Sequence, residues 1–300
     1  GLLDEFGKLE TAEGRRPNLY GLNPTSGYFL GVDVKKFTLD MGIMNFNGDL
    51  VERRSGVEHH ADNNAEGLEH ICKLVLDFID DTDIPHEKIF NANFNLSGRV
   101  NHETGYCYSM FNFSEDPLNK ILSERLNMPV TIENDSRAMT YGEFCKGGVK
   151  GEKNVLFINV SWGLGMGIIT DGKLHYGKSG FSGEIGHVHM FDNEVLCRCG
   201  KKGCLETEVS GCALHNIVLE RIRNGESSLL SKAVNDKQEL TLSDIIEATN
   251  NEDTLCIDVV EQIGIKLGKY ISGLINVFNP ELIIIGGAMS LTGAYLIEPI

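Results

Sequence analysis

Three cysteines fall within the segment Cys197-Arg198-Cys199-Gly200-Lys201-Lys202-Gly203-Cys204, and His187 lies ten residues before the first of them. Three thiolates and an imidazole, held close by short glycine turns, make the tetrahedral donor set that Zn²⁺ takes in structural sites. Four protein donors leave no position for a water, so the expected metal is structural. His189 is an alternative to His187 as the fourth ligand, and a disulfide pair with a spare thiol is the competing chemistry. The chain has eight cysteines and the other five are scattered. That is a cytoplasmic pattern of usage and it argues against a disulfide framework.

A second candidate is the pair Asn134-Asp135 in Ile132-Glu133-Asn134-Asp135. A strand pattern ends there and a helical one begins, and ligands of α/β sheets gather at the carboxyl ends of strands. Planar amides and carboxylates at such a point can grip vicinal hydroxyls. Asp135 fits a plain helix N-cap equally well.

The elements that must hold these residues follow from periodicity. Strand patterns run over Tyr28 to Val34 and Thr38 to Phe46, an Asn47-Gly48 turn follows, and Leu50-Val51 completes a hairpin. A helix with Asp62 as its N-cap then carries Leu68, Ile71, Leu74, Val75, Phe78 and Ile79 on one face. Next come a strand at Ile89 to Leu96, a helix over Leu118 to Leu126 opened by Pro117, a strand at Val130 to Glu133 and a helix from Ser136 to Phe144. After a Lys/Gly-rich bridge the pattern restarts with Val155 to Val160 and Gly167 to Thr170, and a second hairpin turn stands at Asp171-Gly172. A long helical face from Leu255 to Phe278 leads to a buried strand at Glu281 to Ile285, Gly286-Gly287 and a final helix over Leu291 to Ile300. The restart suggests a duplicated α/β architecture with a cleft between two lobes, although hairpins can also resemble one another by chance.

The 300 residues hold 43 acidic and 27 basic side chains, a net charge of −16. So acidic a segment has no broad basic face for a phosphate backbone or an anionic membrane. With 41% hydrophobic and 23% charged residues it reads as an ordinary globular chain. No apolar run reaches the roughly 18 residues of a membrane helix. The first residue is Gly1 and the last, Ile300, falls inside a helical pattern, so the chain is expected to be a fragment.

Gly183-Glu184-Ile185-Gly186-His187, followed by Cys197-x-Cys199-Gly200-x-x-Gly203-Cys204-x-Glu206, resembles the signature of the ROK family of repressors, open reading frames and sugar kinases. The resemblance implies an actin-like (ribonuclease H-like) duplicated two-lobed α/β fold with a central ligand cleft and a structural zinc loop. It implies a sugar held by Asn134, Asp135, Glu184, His187 and Glu206, with Asp135 the general base in the kinases. Ser97-Gly98-Arg99 resembles the family's glycine turn beneath the sugar, and Asn112 is a further candidate amide. The zinc loop, with His187, Cys197, Cys199 and Cys204 as ligands, would then fix Glu184, His187 and Glu206 in one geometry.

ATP-using members carry glycine-rich turns that bring backbone N–H groups against phosphates. The first, normally Asp-x-Gly-Gly-Thr, reads Asp33-Val34-Lys35-Lys36-Phe37 in this chain. Lysines cannot replace its geometry, though they could attract phosphate as point charges. The second, Ser161-Trp162-Gly163-Leu164-Gly165-Met166-Gly167, keeps its glycines but carries Trp162, and Gly286-Gly287 matches the adenosine-side turn. The nucleotide set Asp33, Gly163, Gly165, Gly286 and Gly287 is therefore expected to be degenerate.

Before the first lobe stands Glu13-Gly14-Arg15-Arg16-Pro17, which resembles the wing and exit linker of ROK repressors. Residues 1–26 are thus expected to be a wing and linker remnant, 27–134 the first lobe and 135–300 the second. Leu2 to Glu10 would be a wing strand or the end of a helix. The reading that follows is the effector domain of a sugar-responsive repressor, cytoplasmic and homodimeric or homotetrameric. It would take a monosaccharide or amino-sugar and act on DNA through a missing N-terminal helix-turn-helix. The alternative is a zinc-containing sugar kinase using ATP and Mg²⁺.

Overall fold

The computed structural model describes residues 1–10 and 16–300; Arg15 and its neighbours Glu13 and Gly14 lie outside the described residues. Two compact units follow one another, Gly1–Asp135 and Ser136–Ile300.

In the first unit β1 (Leu3–Lys8) and β2 (Asn18–Leu22) form a two-stranded antiparallel hairpin, so the segment around Leu2 to Glu10 is strand and not helix. Then come β3 (Tyr28–Val34), β4 (Thr38–Asn45), β5 (Leu50–Glu58), α1 (Ala65–Asp80), β6 (Ile89–Leu96), the short β7 (Val100–Asn101) and β8 (Tyr106–Cys107), α2 (Leu118–Leu126) and β9 (Val130–Asn134), after which α3 (Asp135–Lys146) opens the second unit. The main sheet runs β5-β4-β3-β6-β9, with β3 antiparallel to β4, and β3, β6 and β9 parallel. Strand periodicity puts Leu30, Val32 and Val34, with Ala92, Phe94 and Leu96, on the face that packs against Leu68, Ile71 and Val75 of α1 and Leu122 of α2.

In the second unit the elements are β10 (Val155–Val160), β11 (Leu164–Thr170), β12 (Lys173–Leu174), α4 (Gly211–Arg223), α5 (Ser231–Asn235), α6 (Leu242–Asn250), α7 (Thr254–Phe278), β13 (Leu282–Gly286) and α8 (Ala294–Ile297). The sheet runs β12-β11-β10-β13, with β10 antiparallel to β11 and parallel to β13. This repeats the arrangement of β5-β4-β3-β6 and is the duplication suggested by the restarting pattern. Asp171 (φ 52°) and Gly172 (φ 75°) both adopt left-handed backbone at the hairpin turn, as a type I′ turn requires.

Several boundaries differ from expectation, among them three that change the reading of an element. The cap of α1 is Asn64, whose side chain accepts the Gly67 N–H at 2.8 Å, and not Asp62. The second hairpin strand extends to Glu58. Leu291 to Ile300 is not one helix: a 3-10 turn over Ala288–Thr292 is broken by Gly293 (φ 60°) before the four-residue α8.

The alternating glycines of β11 have a packing cause. A Cβ on Gly165 would lie 2.3 Å from Ser136 Oγ, and one on Gly167 would lie 1.7 Å from Thr140 Oγ1. Ser136 and Thr140 sit four residues apart on α3, so helix and strand approach closely along this row. Gly167→Ala should cost about 1–3 kcal/mol of stability, measured by urea unfolding; an unchanged midpoint would contradict the contact.

Candidate functional site

Residues 183–206 of the second unit wrap against β11. Gly183 (φ 87°) lets the chain pass where a Cβ would meet Met166 O at 1.8 Å, and the Met166 N–H donates to Gly183 O at 3.0 Å. Beyond it the Cys197 loop turns on Gly200 (φ 85°) and Gly203 (φ 71°). Hydrogen bonds from Cys197 N to Lys201 O (2.8 Å) and from Met190 N to Gly203 O (2.8 Å) close it.

These turns bring one ligand atom each from His187, Cys197, Cys199 and Cys204 within 4.8 Å of one another. His187 Nδ1 is 3.5 Å from Cys197 Sγ, and Cys199 Sγ is 3.6 Å from Cys204 Sγ. His189 is not in this group: its side chain is 64% exposed and its Nδ1 faces Lys202 O. All eight cysteines are free in this structure. Burial pushes the Cys197 thiol up to about 12 and also raises Cys204. Burial acts on Cys199 in the same direction, but the Lys201 N–H and the adjacent thiols outweigh it and hold Cys199 below the usual thiol range. Three sulfurs and an imidazole nitrogen converging on one point fit a metal ion, which would take the cysteines as thiolates.

The flanking carboxylates lean on the same group. Glu184 Oε2 is 3.9 Å from His187 Nε2, the ring nitrogen opposite the cysteines. Glu206 is buried, its Oε2 accepting the Leu164 N–H at 3.0 Å and its Oε1 lying 3.2 Å from Arg198 Nε. The sequence offered no signal for Arg198, which stands between two candidate ligands, nor for the Leu164 link. The Lys201 ammonium, also unforeseen, donates to His187 O at 2.8 Å.

In the first unit, the carboxyl ends of β6 and β9 bring Ser97, Gly98, Asn134 and Asp135 together. Ser97 Oγ donates to Asp135 Oδ2 at 2.7 Å, and Asn134 Nδ2 donates to Gly98 O at 2.9 Å and to Asp135 Oδ1 at 3.1 Å. Asp135 is the first residue of α3 and not the residue before it. Gly98 (φ 93°) has no room for a side chain, since a Cβ would meet Ser109 Oγ at 2.4 Å. Asn112 is exposed in the loop after Phe111.

The β3–β4 turn is a closed hairpin. Its Lys35 N–H donates to Thr38 O at 3.0 Å, and a ring nitrogen of His59 lies 3.0 Å from Lys35 O. No residue from Asp33 to Phe37 has positive φ, so the turn forms no nest of N–H groups for an anion. Lys35 Nζ is ion-paired with Asp40 and lies 3.8 Å from Asp33, while Lys36 Nζ sits 4.6 Å from the Phe37 ring centroid.

In the second unit, Ser161 N–H donates to Gly163 O and the Cys212 N–H to Trp162 O. Gly286 faces the Phe157 ring, and Gly287 (φ 90°) faces Asn159 and Ser161.

Burial pushes Asp33 up from 3.8 to about 6, assisted by Asp135 and Asp40 and opposed by Lys35. The folded state therefore holds this proton more tightly than the unfolded chain, so the group's contribution is greatest below pH 3.8 and falls as pH rises through about 6. Asp33→Asn should match the wild type in stability near pH 4 and exceed it by on the order of 2–3 kcal/mol above pH 7. Denaturant titrations across that range check this, and a pH-independent difference would contradict it.

Paired mixed sheets of this topology are those of the actin-like sugar kinase fold, and the chain belongs to the ROK family, which it matches over residues 30–300. Among its relatives, it is 31% identical over 280 residues to a glucokinase of Halalkalibacterium halodurans, covering 91% of this chain and 84% of that one. It is 30% identical over 306 residues to a xylose repressor of Caldicellulosiruptor bescii, covering 99% and 75%. Two solved structures are similar. One is a ROK family transcriptional regulator described as a homolog of the E. coli MLC protein, with TM-score 0.77, 27% identity and 99% of this chain and 75% of that one covered. The other is a ROK glucokinase from Streptomyces griseus in complex with glucose and AMPPNP, with TM-score 0.79, 26% identity and coverage of 91% and 87%. Among the described residues no helix is long and apolar enough to cross a membrane.

Proposed function

We propose that this chain is the sugar-binding effector portion of a ROK-family transcriptional regulator. The observation that carries this reading is the β3–β4 turn, in which the place of a phosphate cradle is taken by a closed hairpin with Lys35 paired to Asp40. The match to xylose repressors adds support, because it takes in 99% of the chain where the glucokinase match takes in 91%.

In this reading the groups that take a monosaccharide or amino-sugar are Gly98, Asn112, Asn134, Asp135, Glu184, His187 and Glu206. Asp135 accepts a sugar hydroxyl with its carboxylate already oriented by Ser97 and Asn134. His187, Cys197, Cys199 and Cys204 would hold a structural Zn²⁺, which supplies no reaction step and fixes the loop. With Nδ1 turned to the metal, His187 carries its proton on Nε2 and presents a donor beside Glu184. Sugar binding would shift the population of a cytoplasmic homodimer or homotetramer and so its grip on DNA through a helix-turn-helix outside these residues.

A sugar kinase is the second reading, favoured by the Asp135 carboxylate, which has the oriented geometry of a general base. Calorimetry with a panel of hexoses, pentoses and amino-sugars is expected to find binding, while a coupled assay with ATP and Mg²⁺ on the same panel gives no turnover. Steady turnover that disappears in Asp135→Asn would overturn the regulator reading in favour of the kinase.

A further inference from the structure

Glu206 places a carboxylate where charge is costly, with 9% of its side chain exposed. Its two oxygens are held by different segments, Oε2 by the Leu164 N–H at 3.0 Å and Oε1 by Arg198 at 3.2 Å. Cys197 Sγ lies 3.8 Å from the same Oε1. A Cβ on Gly163 would sit 2.8 Å from Glu206 Oε2 and 3.3 Å from Arg198 Nη2, so carboxylate and guanidinium both lie against the Ser161 to Leu164 turn.

We propose that Arg198 is a positioning residue which, through Glu206, clamps the metal-ligand loop to the Ser161 to Leu164 turn, so that the state of the loop sets the environment of Trp162. The inference rests on the reading of that loop as a metal site. A guanidinium is always charged and planar, and it supplies the counter-charge that a buried carboxylate needs beside metal-binding thiolates. Arg198 contributes no ligand atom to the cluster, which leaves its charge available for Glu206. The other side of the turn is tied to α4, where the Cys212 N–H donates to Trp162 O at 2.9 Å and the Trp162 ring lies 5.5 Å from that of His215. Loosening the Glu206 side therefore removes a tie on the side of the turn away from α4, next to the indole.

Trp162 is the single tryptophan of the chain, so emission excited at a wavelength that tyrosine does not absorb reports on this turn alone. Emission is recorded for the wild type, Arg198→Ala, Arg198→Lys and Glu206→Gln, before and after chelation, with bound metal counted by atomic emission. Chelation is expected to move the wild-type spectrum to the red. Arg198→Ala and Glu206→Gln should be red-shifted while still holding metal, Arg198→Lys should recover most of the wild-type spectrum, and chelation should add little in Glu206→Gln. The clamp is overturned if Arg198→Ala keeps both the wild-type emission and the wild-type response to chelation. It is also overturned if the Arg198→Ala and Glu206→Gln shifts simply add in the double variant. A wild type without metal would refute the metal reading by the count itself, and the three substitutions would still decide whether Arg198 and Glu206 hold the turn.

Discussion

If the His187–Cys204 group holds a metal as proposed, Cys204→Ser is expected to abolish metal binding and to lower the melting temperature of the protein substantially. The thiol is fully buried, and an alcohol in its place is a poor ligand for a zinc-like ion. The segment it anchors is long and has little regular structure: from Glu184 to Glu208 it holds two 3-10 turns and isolated bridges, with no helix or strand of its own. Ile185, Phe191 and Leu205 tie parts of the segment to the core of the unit, and in the metal reading the ion would crosslink the stretch between them. Loss of a structural metal belongs among the large single-residue effects, here at least about 3 kcal/mol. For a unit of this size that is roughly 6–12 °C in melting temperature. Calorimetric melts with parallel metal counts check it. A variant with no metal and an unaltered transition would mean that the four donors hold nothing the fold needs.

Asp135→Ala should abolish measurable sugar binding at a smaller cost in stability. A carboxylate gripping a hydroxyl contributes about 1.5–3 kcal/mol per hydrogen bond, and two such bonds correspond to at least about 100-fold in affinity. The structural contribution of the same residue is smaller: a carboxylate in the first turn of a helix is worth about 0.3–1 kcal/mol, and the part-buried bonds from Ser97 and Asn134 add about 0.5–1.5 kcal/mol each. The two roles therefore separate cleanly when binding and melting are measured on one preparation. Asp135→Asn retains the shape and loses the charge, so an intermediate weakening is expected. Undiminished binding in Asp135→Ala, with the protein folded, would remove this residue from the site.

Much of this arrangement could be read from the residues themselves, where the signal is local. β6, β10 and α2 fall where alternation, an unbroken apolar run and Pro117 place them. The four metal-ligand candidates were legible because glycine spacing fixes a short loop almost by itself. Elements held by something other than pattern were harder to see. The end of β5, through Glu52 and Arg53 to Glu58, is an exposed edge with no apolar alternation. α4 and α6 went unplaced individually, since nothing in the sequence separates their short apolar faces from the helical stretch that follows. Ser97 and the Leu164 N–H act across long sequence separations, and such pairings have no signature in a linear chain.

The glycine row of β11 has a further consequence. Gly163, Gly165 and Gly167 are required by Glu206, Ser136 and Thr140, whatever the chain does with a nucleotide. Mutational drift at these positions would be filtered by whether the protein stays folded, not by whether it turns over substrate. A lineage that had abandoned phosphoryl transfer altogether would still inherit the row, so it is poor testimony about chemistry. Any attempt to engineer a kinase from this chain should leave those glycines alone and begin by rebuilding Lys35, Lys36 and Phe37, where core packing imposes no such demand.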